Sequence, residues 1–344
     1  MKFVLFSLIM NLPHPLTGEK LTDQQKFRNV LRQAELAEKL GFDGFGVGER
    51  HGPPFLSAAP PVILASIAAR TERIRLLTTV TVLSVLDPVR VAEDYATLDH
   101  LSGGRLDIII GKGNDPRHYP LFGLRPEEQW DSLAERYELL RRLWSEEEVT
   151  WEGRYRPSLE NAAVWPKPLQ RPIRIWHGSA SSEISTELAA KYGEPLFSSN
   201  AAHEQGKYKA LIDHYRDRLA FHGHDPTRAL VGAGTGGLYI ADTKEAAIER
   251  YRPYYNTFSN TEAARHNRSP FVDAEDYAAR SSGLIGSPDS VIEKILDYHR
   301  AFGNQVLGIS VDGLTESEQE EQMARFAEEV APVLRRELPN SLWT

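Results

Sequence analysis

Residues 74–110 read IRLLTTVTVLSVLDPVRVAEDYATLDHLSGGRLDIII, and this stretch contains a complete strand–helix–strand unit. The β-branched run Ile74–Leu83 is typical of a strand. Asp87-Pro88 predicts the start of a helix, because aspartate caps helix N-termini and proline is favoured at the first helical position. Gly103-Gly104 ends that helix, and the apolar run Arg105–Ile110 predicts the next strand. A strand, a helix and a further strand form the repeating unit of an α/β fold.

The same alternation continues along the rest of the chain. Eight strands are predicted, most of them followed by a helix: Phe3–Leu8, Phe42–Val47, Ile74–Leu83, Arg105–Ile110, Pro172–Trp176, Leu196–Ser198, Leu230–Ala241 and Val306–Val311. This pattern predicts an α/β fold, a (β/α)8 TIM barrel, in a single domain that spans residues 1–344. The main alternative, an open doubly wound sheet, would need a cleaner division into two halves.

Two segments do not fit the simple alternation. Val149–Lys167, in the insertion after strand 4, carries Trp151 and Trp165 and predicts a small hairpin outside the barrel. Arg252–Gly286, after strand 7, is polar and aromatic and too long for a plain connection. Connections of this length are usually lids or disordered, so we expect a mobile lid over the barrel mouth.

The amino-acid composition limits which partners the protein can bind and in which compartment it is expected. The net charge of −8 argues against a nucleic-acid partner, which normally meets a basic surface. With no cysteine, disulfides and thiolate metal sites are impossible, and the 11 histidines are too scattered to predict a metal site. The apolar run Phe3–Met10 is better explained as a buried strand than as a signal peptide. No stretch approaches the roughly 18 apolar residues that cross a membrane. We therefore expect a cytoplasmic protein without membrane contact.

In a TIM barrel the active site lies where the strands end, so the residues at those positions come first. Gly178-Ser179-Ala180-Ser181-Ser182 follows a predicted strand and opens a helix. Backbone N–H groups at a helix start, together with serine hydroxyls, can bind a phosphate. The alternative is that one serine only caps the helix. Lys112, in Gly111-Lys112-Gly113 at the adjacent strand end, could supply a countercharge.

Two further patterns need an interpretation. Gly232, Gly234 and Gly237 spell G-x-G-x-x-G, but a strand continuation follows them. A dinucleotide site needs a helix at that point, so these glycines more simply mark a bulge or the close approach of another group. His51 ends a strand beside Glu49 and Arg50, and both a functional and a structural role are open for it.

The strand-end residues resemble those of the bacterial luciferase-like flavin monooxygenases. The resemblance runs from the first strand to the last helix and is weakest over Val149–Lys167 and Arg252–Gly286. The matching stretches are Gly41-Phe42-Asp43 with Glu49-Arg50-His51, Leu76–Leu83, Asp87-Pro88-Val89-Arg90, Glu93-Asp94, Leu98–Arg105, Gly178–Ser182 and Gly286-Ser287-Pro288.

This resemblance implies that reduced flavin, usually FMN, binds at the C-terminal mouth of the barrel. The flavin ring would lie against a non-prolyl cis peptide, which corresponds to Thr79 and Val80 in this sequence. The phosphate would bind Ser179 and Ser182, with backbone N–H groups of Ala180 and Ser181. Lys112, between Gly111 and Gly113, falls where luciferase has a phosphate-binding arginine. The cofactor-binding residues expected from the resemblance are thus Thr79, Val80, Lys112, Gly113, Gly178, Ser179, Ala180, Ser181 and Ser182.

Two positions depart from luciferase. The first of its two successive histidines, the catalytic one, is Arg50 here and only His51 is kept, while its reactive cysteine is Gly111. Light emission from an aldehyde is therefore not expected, and Arg50 and His51 become the candidate catalytic residues. The prediction is a two-component monooxygenase that takes reduced FMN from a separate, transiently bound flavin reductase and oxidises a small organic substrate. The alternatives are a deazaflavin-dependent oxidoreductase and a flavin-binding relative that has lost catalysis.

The resemblance also implies a homodimer. Luciferase-like barrels pair through the helices beside the second and third strands, which are Ser57–Thr71 and Val89–Leu101 in this sequence. Both helices carry more small and apolar residues than a single barrel-facing stripe requires, so we expect the surplus to contact a second copy.

Overall fold

A computed structural model describes residues 1–180, 182–266 and 269–343. Within these residues the strands are β1 (Lys2–Ser7), β2 (Gly44–Val47), β3 (Arg75–Thr78), β4 (Leu106–Ile110), β5 (Val149–Trp151), β6 (Leu159–Ala162), β7 (Arg174–Ser179), β8 (Leu196–Ser198), β9 (Val231–Ile240), β10 (Leu284–Gly286) and β11 (Val306–Ser310). The α-helices are α1 (Asp23–Lys39), α2 (Pro60–Ala68), α3 (Pro88–Leu101), α4 (Gln129–Ser145), α5 (Glu183–Tyr192), α6 (Gln205–Phe221), α7 (Lys244–Ser259), α8 (Glu262–His266), α9 (Ala274–Arg280), α10 (Pro288–Phe302), α11 (Glu316–Arg325) and α12 (Ala331–Glu337). A π-helical turn at Phe326–Val330 joins the last two helices.

Eight parallel strands close into a barrel in the order β1-β2-β3-β4-β7-β8-β9-β11. Closure is completed by β11, which pairs with β1 through the register Lys2↔Val306 to Leu5↔Ile309. All eight predicted strands are present, so the TIM barrel is confirmed and the open doubly wound sheet is excluded. The additional strand β10 pairs with the C-terminal end of β9, at Leu238–Ile240.

Local sequence signals explain where the helices begin. The Asp87 carboxylate accepts from the backbone N–H groups of Val89 and Arg90, which caps α3 as Asp87-Pro88 predicted. Thr22 and Thr315 each form a capping box with the residue three positions later, at the starts of α1 and α11. None of the helices in the described parts of the chain is long and apolar enough to cross a membrane.

The third strand is shorter than its β-branched run predicted. The ladder of β3 ends at Thr78, and the next peptide bond, between Thr79 and Val80, is cis. Beyond the cis bond, an isolated bridge joins Thr81 to Ile110 at the end of β4. β-Branched residues favour extended backbone wherever it occurs, so the pattern alone did not distinguish the strand from this irregular continuation.

The two insertions have different structures. The predicted hairpin is confirmed, because β5 and β6 form a separate antiparallel pair. The segment Arg252–Gly286 contains the end of α7, then α8, α9 and β10, so its described residues are largely helical rather than irregular. An ion pair of 2.6 Å joins Arg117, which follows β4, to Glu262, which follows β9. Because β4 and β9 lie on nearly opposite sides of the barrel, this pair links two connections across the mouth.

The predicted dimer helices bury most of their apolar residues within the protomer itself. Ile63 and Ile67 of α2 and Val91 and Tyr95 of α3 all pack in the main core cluster. The large apolar side chains that these two helices leave in solvent are Val62 at 66% exposure and Leu101 at 63%. Much of the apolar surplus seen in the sequence is therefore consumed by packing against the barrel.

The size of the side chains inside the barrel changes along the barrel axis. Its middle is filled by one cluster of large side chains: Val4, Leu77, Ile109, Trp176, Phe197 and Val306. Two residues further along the strands, on the same face, come small residues such as Gly46, Gly111 and Gly178. The barrel is thus filled at its centre and built from small residues at its C-terminal mouth, where sites of this fold lie.

The G-x-G-x-x-G sequence lies within strand β9, as expected for a motif that binds no dinucleotide. A side chain at Gly232 would collide with the Phe197 ring, and one at Gly237 with the Tyr251 hydroxyl. The pairing of β9 with β11 also shifts register between Gly232 and Gly237. The prediction that these glycines mark close approach and a bulge is confirmed.

Candidate active site

The end of β2 carries a carboxylate–histidine pair. Glu49 is buried, and its Oε2 accepts a hydrogen bond from the Val82 backbone N–H at 2.8 Å. Its other oxygen, Oε1, lies 2.7 Å from His51 Nε2. The carboxylate oxygen accepts in this contact, so in the neutral imidazole Nε2 carries the proton and Nδ1 a lone pair. The sequence left the role of His51 open, and the geometry gives it a fixed tautomer.

Arg50 lies between these two residues in sequence and reaches the connection after β4. Its guanidinium donates to the amide oxygen of Asn114 and lies 5.0 Å from the centre of the Phe55 ring. Burial lowers the pKa of Arg50 to about 10, against the opposing field of Asp115, so the side chain still carries its charge at neutral pH. Arg50 and His51, the two predicted catalytic residues, therefore lie side by side at the mouth. Arg50 carries a charge there, and His51 Nδ1 makes no part of the contact with Glu49.

A second histidine, which the sequence did not identify as functional, joins this group. His118 belongs to a short 3-10 helix, Pro116–Phe122, after β4. Its ring meets the His51 ring edge-on with centroids 5.3 Å apart. Its Nε2 lies 3.4 Å from Asp115, while its buried Nδ1 has no hydrogen-bond partner among the described residues. Burial lowers the pKa of His118 to about 4, so the ring is neutral near pH 7.

The flavin ring was expected at Thr79–Val80, and the non-prolyl cis bond that the resemblance implied is present there. Two small residues make room for Val80. A methyl group added at Gly111 would come within 3.2 Å of Val80 Cγ2, and one at Gly178 within 2.9 Å of Val80 Cγ1. Two of the predicted cofactor-binding residues, Val80 and Gly178, thus form one continuous surface with Gly111 at the mouth.

The serine turn is the segment Gly178–Ser182 at the end of β7, and its described serines have different environments. Ser179 is buried, and its hydroxyl accepts a hydrogen bond of 2.8 Å from Ser185 Oγ. Ser182 is the N-cap of α5, where its hydroxyl accepts from the Ile184 N–H at 3.3 Å. Ala180 is exposed, and Ser181 lies outside the described residues. The capping alternative therefore accounts for Ser182, while the α5 N-terminus keeps the geometry of an anion site.

Lys112 does not reach the serine turn in this structure. Its Nζ donates to the Gly113 carbonyl at 3.0 Å and lies 5.6 Å from the centre of the Trp130 ring. Burial lowers the pKa of Lys112. Gly113 has a positive φ of 73°, a conformation that favours glycine. No direct contact between Lys112 and Gly178–Ser182 is present among the described residues.

Several buried polar atoms near the mouth have no hydrogen-bond partner among the described residues. They include the Thr79 hydroxyl, the Ser198 hydroxyl and both amide atoms of Asn200, which follows β8 with a φ of 51°. Buried polar groups in folded proteins are nearly always hydrogen-bonded, so an unpartnered group of this kind indicates a ligand or water. Donors and acceptors on two strands that face a mouth lined with small residues fit a flat polar ring such as flavin.

Comparison with protein families decides the classification. A model described as luciferase-like monooxygenase matches residues 1–305. The chain belongs to the luciferase-like monooxygenase family. The resemblance inferred from the strand ends is thereby confirmed, and the chain is placed among flavin- and F420-dependent oxidoreductases.

Three relatives show the range of this family. The 4-hydroxyprotoasukamycin monooxygenase of Streptomyces nodosus subsp. asukaensis is 27% identical, over 96% of this chain and 92% of its own length. The oxygenase component of the flavin-dependent trigonelline monooxygenase of Acinetobacter baylyi is 24% identical, over 95% and 94%. The F420-dependent glucose-6-phosphate dehydrogenase of Segniliparus rotundus is 31% identical, over 84% and 90%.

The fold comparison agrees with the sequence comparison. The crystal structure of the monooxygenase RslO1 from Streptomyces bottropensis superposes with a TM-score of 0.84 at 27% identity, covering 97% of this chain and 99% of that one. The match extends over nearly the full length of both chains, so the two proteins share the same overall fold.

Proposed function

We propose that this chain is the oxygenase component of a two-component monooxygenase. It takes reduced FMN from a separate flavin reductase, a transient partner, and uses dioxygen to oxidise a small organic substrate. The observation that carries the proposal is the set of unpartnered buried polar atoms of Thr79 and Asn200 at the mouth. Similarity to the oxygenase component of a flavin-dependent monooxygenase supports the same assignment.

Residues of three strand ends would hold the cofactor. The ring would lie against Thr79 and Val80, where Gly111 and Gly178 leave space. The phosphate would bind at the start of α5, beside Ser179, Ala180, Ser181 and Ser182, with the side chain of Lys112 turning from Gly113 and Trp130 to supply a countercharge. Cofactor binding would thus hold the flavin across the mouth and away from bulk water.

Bound reduced flavin supplies the electrons that dioxygen needs, and the protein supplies position and proton control. Glu49 holds His51 by its Nε2–H, so His51 Nδ1 is free to take a proton from a substrate hydroxyl or water. Arg50 remains charged and would stabilise negative charge that develops on substrate oxygen. The edge-on contact between His51 and His118 keeps the first ring in place.

Cofactor titration of the purified protein tests this function. FMN, FAD and F420 would each be titrated in oxidised and reduced form, and we expect reduced FMN to bind most tightly. The double variant Ser179→Ala/Ser182→Ala should bind FMN at least tenfold more weakly, since each hydrogen bond to a charged group contributes about 1.5–3 kcal/mol. Ser287→Ala is the matched control, because Ser287 caps α10 as Ser182 caps α5. An FMN affinity unchanged in the double variant would contradict the phosphate site.

A second candidate function is an F420-dependent oxidoreductase that transfers hydride rather than activating dioxygen. The similarity to an F420-dependent dehydrogenase at 31% identity favours it. The same titration separates the two functions, because tight binding of F420 with weak binding of FMN would select this candidate. Consumption of dioxygen by the reduced holoenzyme would then be slow with every substrate.

A further inference from the structure

Arg50 differs from Arg117, which also lies at the mouth, in having no counter-ion among the described residues. Arg117 is paired with Asp115 and with Glu262, each at 2.6 Å. The direct partners of Arg50 are neutral, namely the amide oxygen of Asn114 and the ring of Phe55. Across the described ranges of the chain, no carboxylate forms an ion pair with it. The Arg50 side chain is partly buried, and no direct contact among these residues neutralises its charge.

The carboxylates closest to Arg50 are already committed. Glu49 accepts from the Val82 N–H and from His51. Asp115 accepts from the Arg117 backbone and guanidinium, which outweigh the effect of burial and lower the pKa of Asp115 to about 2. Neither can turn to Arg50 without losing these bonds. Withdrawing even part of a charged group from water without a partner costs free energy, and a ligand of opposite charge at Arg50 would offset that cost.

The surroundings of Arg50 indicate the shape of that ligand. The Phe55 ring lies beside the guanidinium, and the Phe122 ring packs edge-on against His51 with centroids 4.9 Å apart. Phe122 is still 37% exposed, which leaves apolar ring surface beside the charge. A guanidinium bordered by aromatic surface suits a flat ligand that carries a planar oxyanion, because the fork of N–H donors matches two oxygens at once.

We propose that Arg50 is the substrate's counter-ion: the site takes a planar organic oxyanion, an aromatic carboxylate or phenolate, whose charged oxygens bind the Arg50 guanidinium while its ring contacts Phe55 and Phe122. This inference rests on the proposed function, since it assigns a substrate class to the same mouth. The oxyanion binds as an anion from the start, so Arg50 contributes to substrate binding before any chemistry occurs.

The FMN phosphate is the other anion that Arg50 could meet, and the experiment separates the two. Protein loaded with oxidised FMN is titrated with benzoate and with benzamide, its neutral counterpart, by calorimetry. Wild-type protein should bind benzoate at least tenfold more tightly than benzamide, and Arg50→Met should remove that preference while Arg50→Lys keeps part of it. Arg125→Met is the matched control, because Arg125 lies on the connection after β4, is exposed and pairs with Glu128.

Each alternative result overturns the proposal. Equal affinity for benzoate and benzamide in the wild-type protein, or no binding of benzoate, means that no oxyanion site exists at Arg50. A preference that survives in Arg50→Met places the site elsewhere. If Arg50→Met weakens FMN but leaves riboflavin unaffected, Arg50 binds the cofactor phosphate instead. Failure of the wild-type protein to bind FMN would contradict the proposed function, and is measured before benzoate is added.

Discussion

Two adjacent threonines provide a sharp test of the cofactor site, because the same substitution should have opposite consequences at each. Thr78 Oγ1 donates to the Ile109 carbonyl and accepts from the Ile109 N–H, both at 2.9 Å. Thr79 Oγ1 is also buried but has no partner among the described residues. Valine has nearly the shape of threonine and lacks the hydroxyl, so Thr78→Val and Thr79→Val each remove little besides one oxygen.

The expected magnitudes follow from these contacts. Thr78→Val leaves the Ile109 N–H without its hydroxyl acceptor, which should lower the free energy of unfolding of the apo protein by about 1–3 kcal/mol. Thr79→Val breaks no bond and removes a buried polar group without a partner, so apo stability should stay the same or rise by up to about 1 kcal/mol. In the holo protein, Thr79→Val loses a hydrogen bond to the flavin of about 1 kcal/mol, which corresponds to roughly fivefold weaker FMN binding.

Urea denaturation of the apo proteins and anaerobic titration with reduced FMN measure the two effects. We expect Thr78→Val to change stability with little change in affinity, and Thr79→Val to change affinity with little change in stability. Destabilisation of the apo protein by Thr79→Val as large as that caused by Thr78→Val would show that the Thr79 hydroxyl already has a partner. Unchanged FMN affinity in Thr79→Val would remove this residue from the cofactor site.

Three further predictions concern pH, the mouth and the oligomer. Burial lowers the His118 pKa from 6.5 to about 4, so the unfolded chain takes up the proton first as the pH drops. The free energy of unfolding should therefore fall by about 2 kcal/mol between about pH 7.5 and about pH 5 through this group. Urea titrations of His118→Phe should lack this loss. Limited proteolysis should cut within Arg252–Gly286 first, and more slowly with FMN bound. Glu262→Gln should speed this cleavage, because it breaks the ion pair with Arg117 on the opposite connection. Early cleavage elsewhere that is insensitive to FMN would argue against a lid. Light scattering should give a mass near twice 38.7 kDa, and Val62→Lys/Leu101→Lys should give the monomer; a wild-type monomer at micromolar concentration would rule out the dimer.

The sequence predicted the barrel because its strands and helices are short-range patterns. Each strand is a run of apolar residues and each helix has its own start and stop, as at Asp87 and Gly103-Gly104, so the order of elements could be read without knowing their contacts. The end of β3 could not be located in this way. Thr79 and Val80 have the residue types of a strand, and only their neighbours Gly46, Gly111 and Gly178 on other strands permit the conformation that they adopt.

The candidate site was predicted in part for the same reason. Arg50 and His51 are adjacent in sequence, so their shared location at a strand end was visible. His118 is 67 positions from His51, and the sequence shows no pattern that joins them. Their contact arises because the connections after β2 and β4 fold over the same part of the mouth, two strands apart. The hydrogen bond between Ser179 and Ser185 has no signal in the sequence, because Ser185 lies within α5 and reaches back to the turn before it.

On β4 and β7, residues that stabilise the fold and residues that leave space for the cofactor are neighbours on the same strand. On β4, Ile109 fills the barrel centre and Gly111, two residues later on the same face, lies against Val80. On β7, Trp176 and Gly178 repeat that step. On these two strands the alternation that packs the core therefore also prepares the mouth, because the residue two positions after the large interior side chain is a glycine. A substitution at the first position of either pair acts on folding, and one at the second acts on the space that the cofactor would occupy.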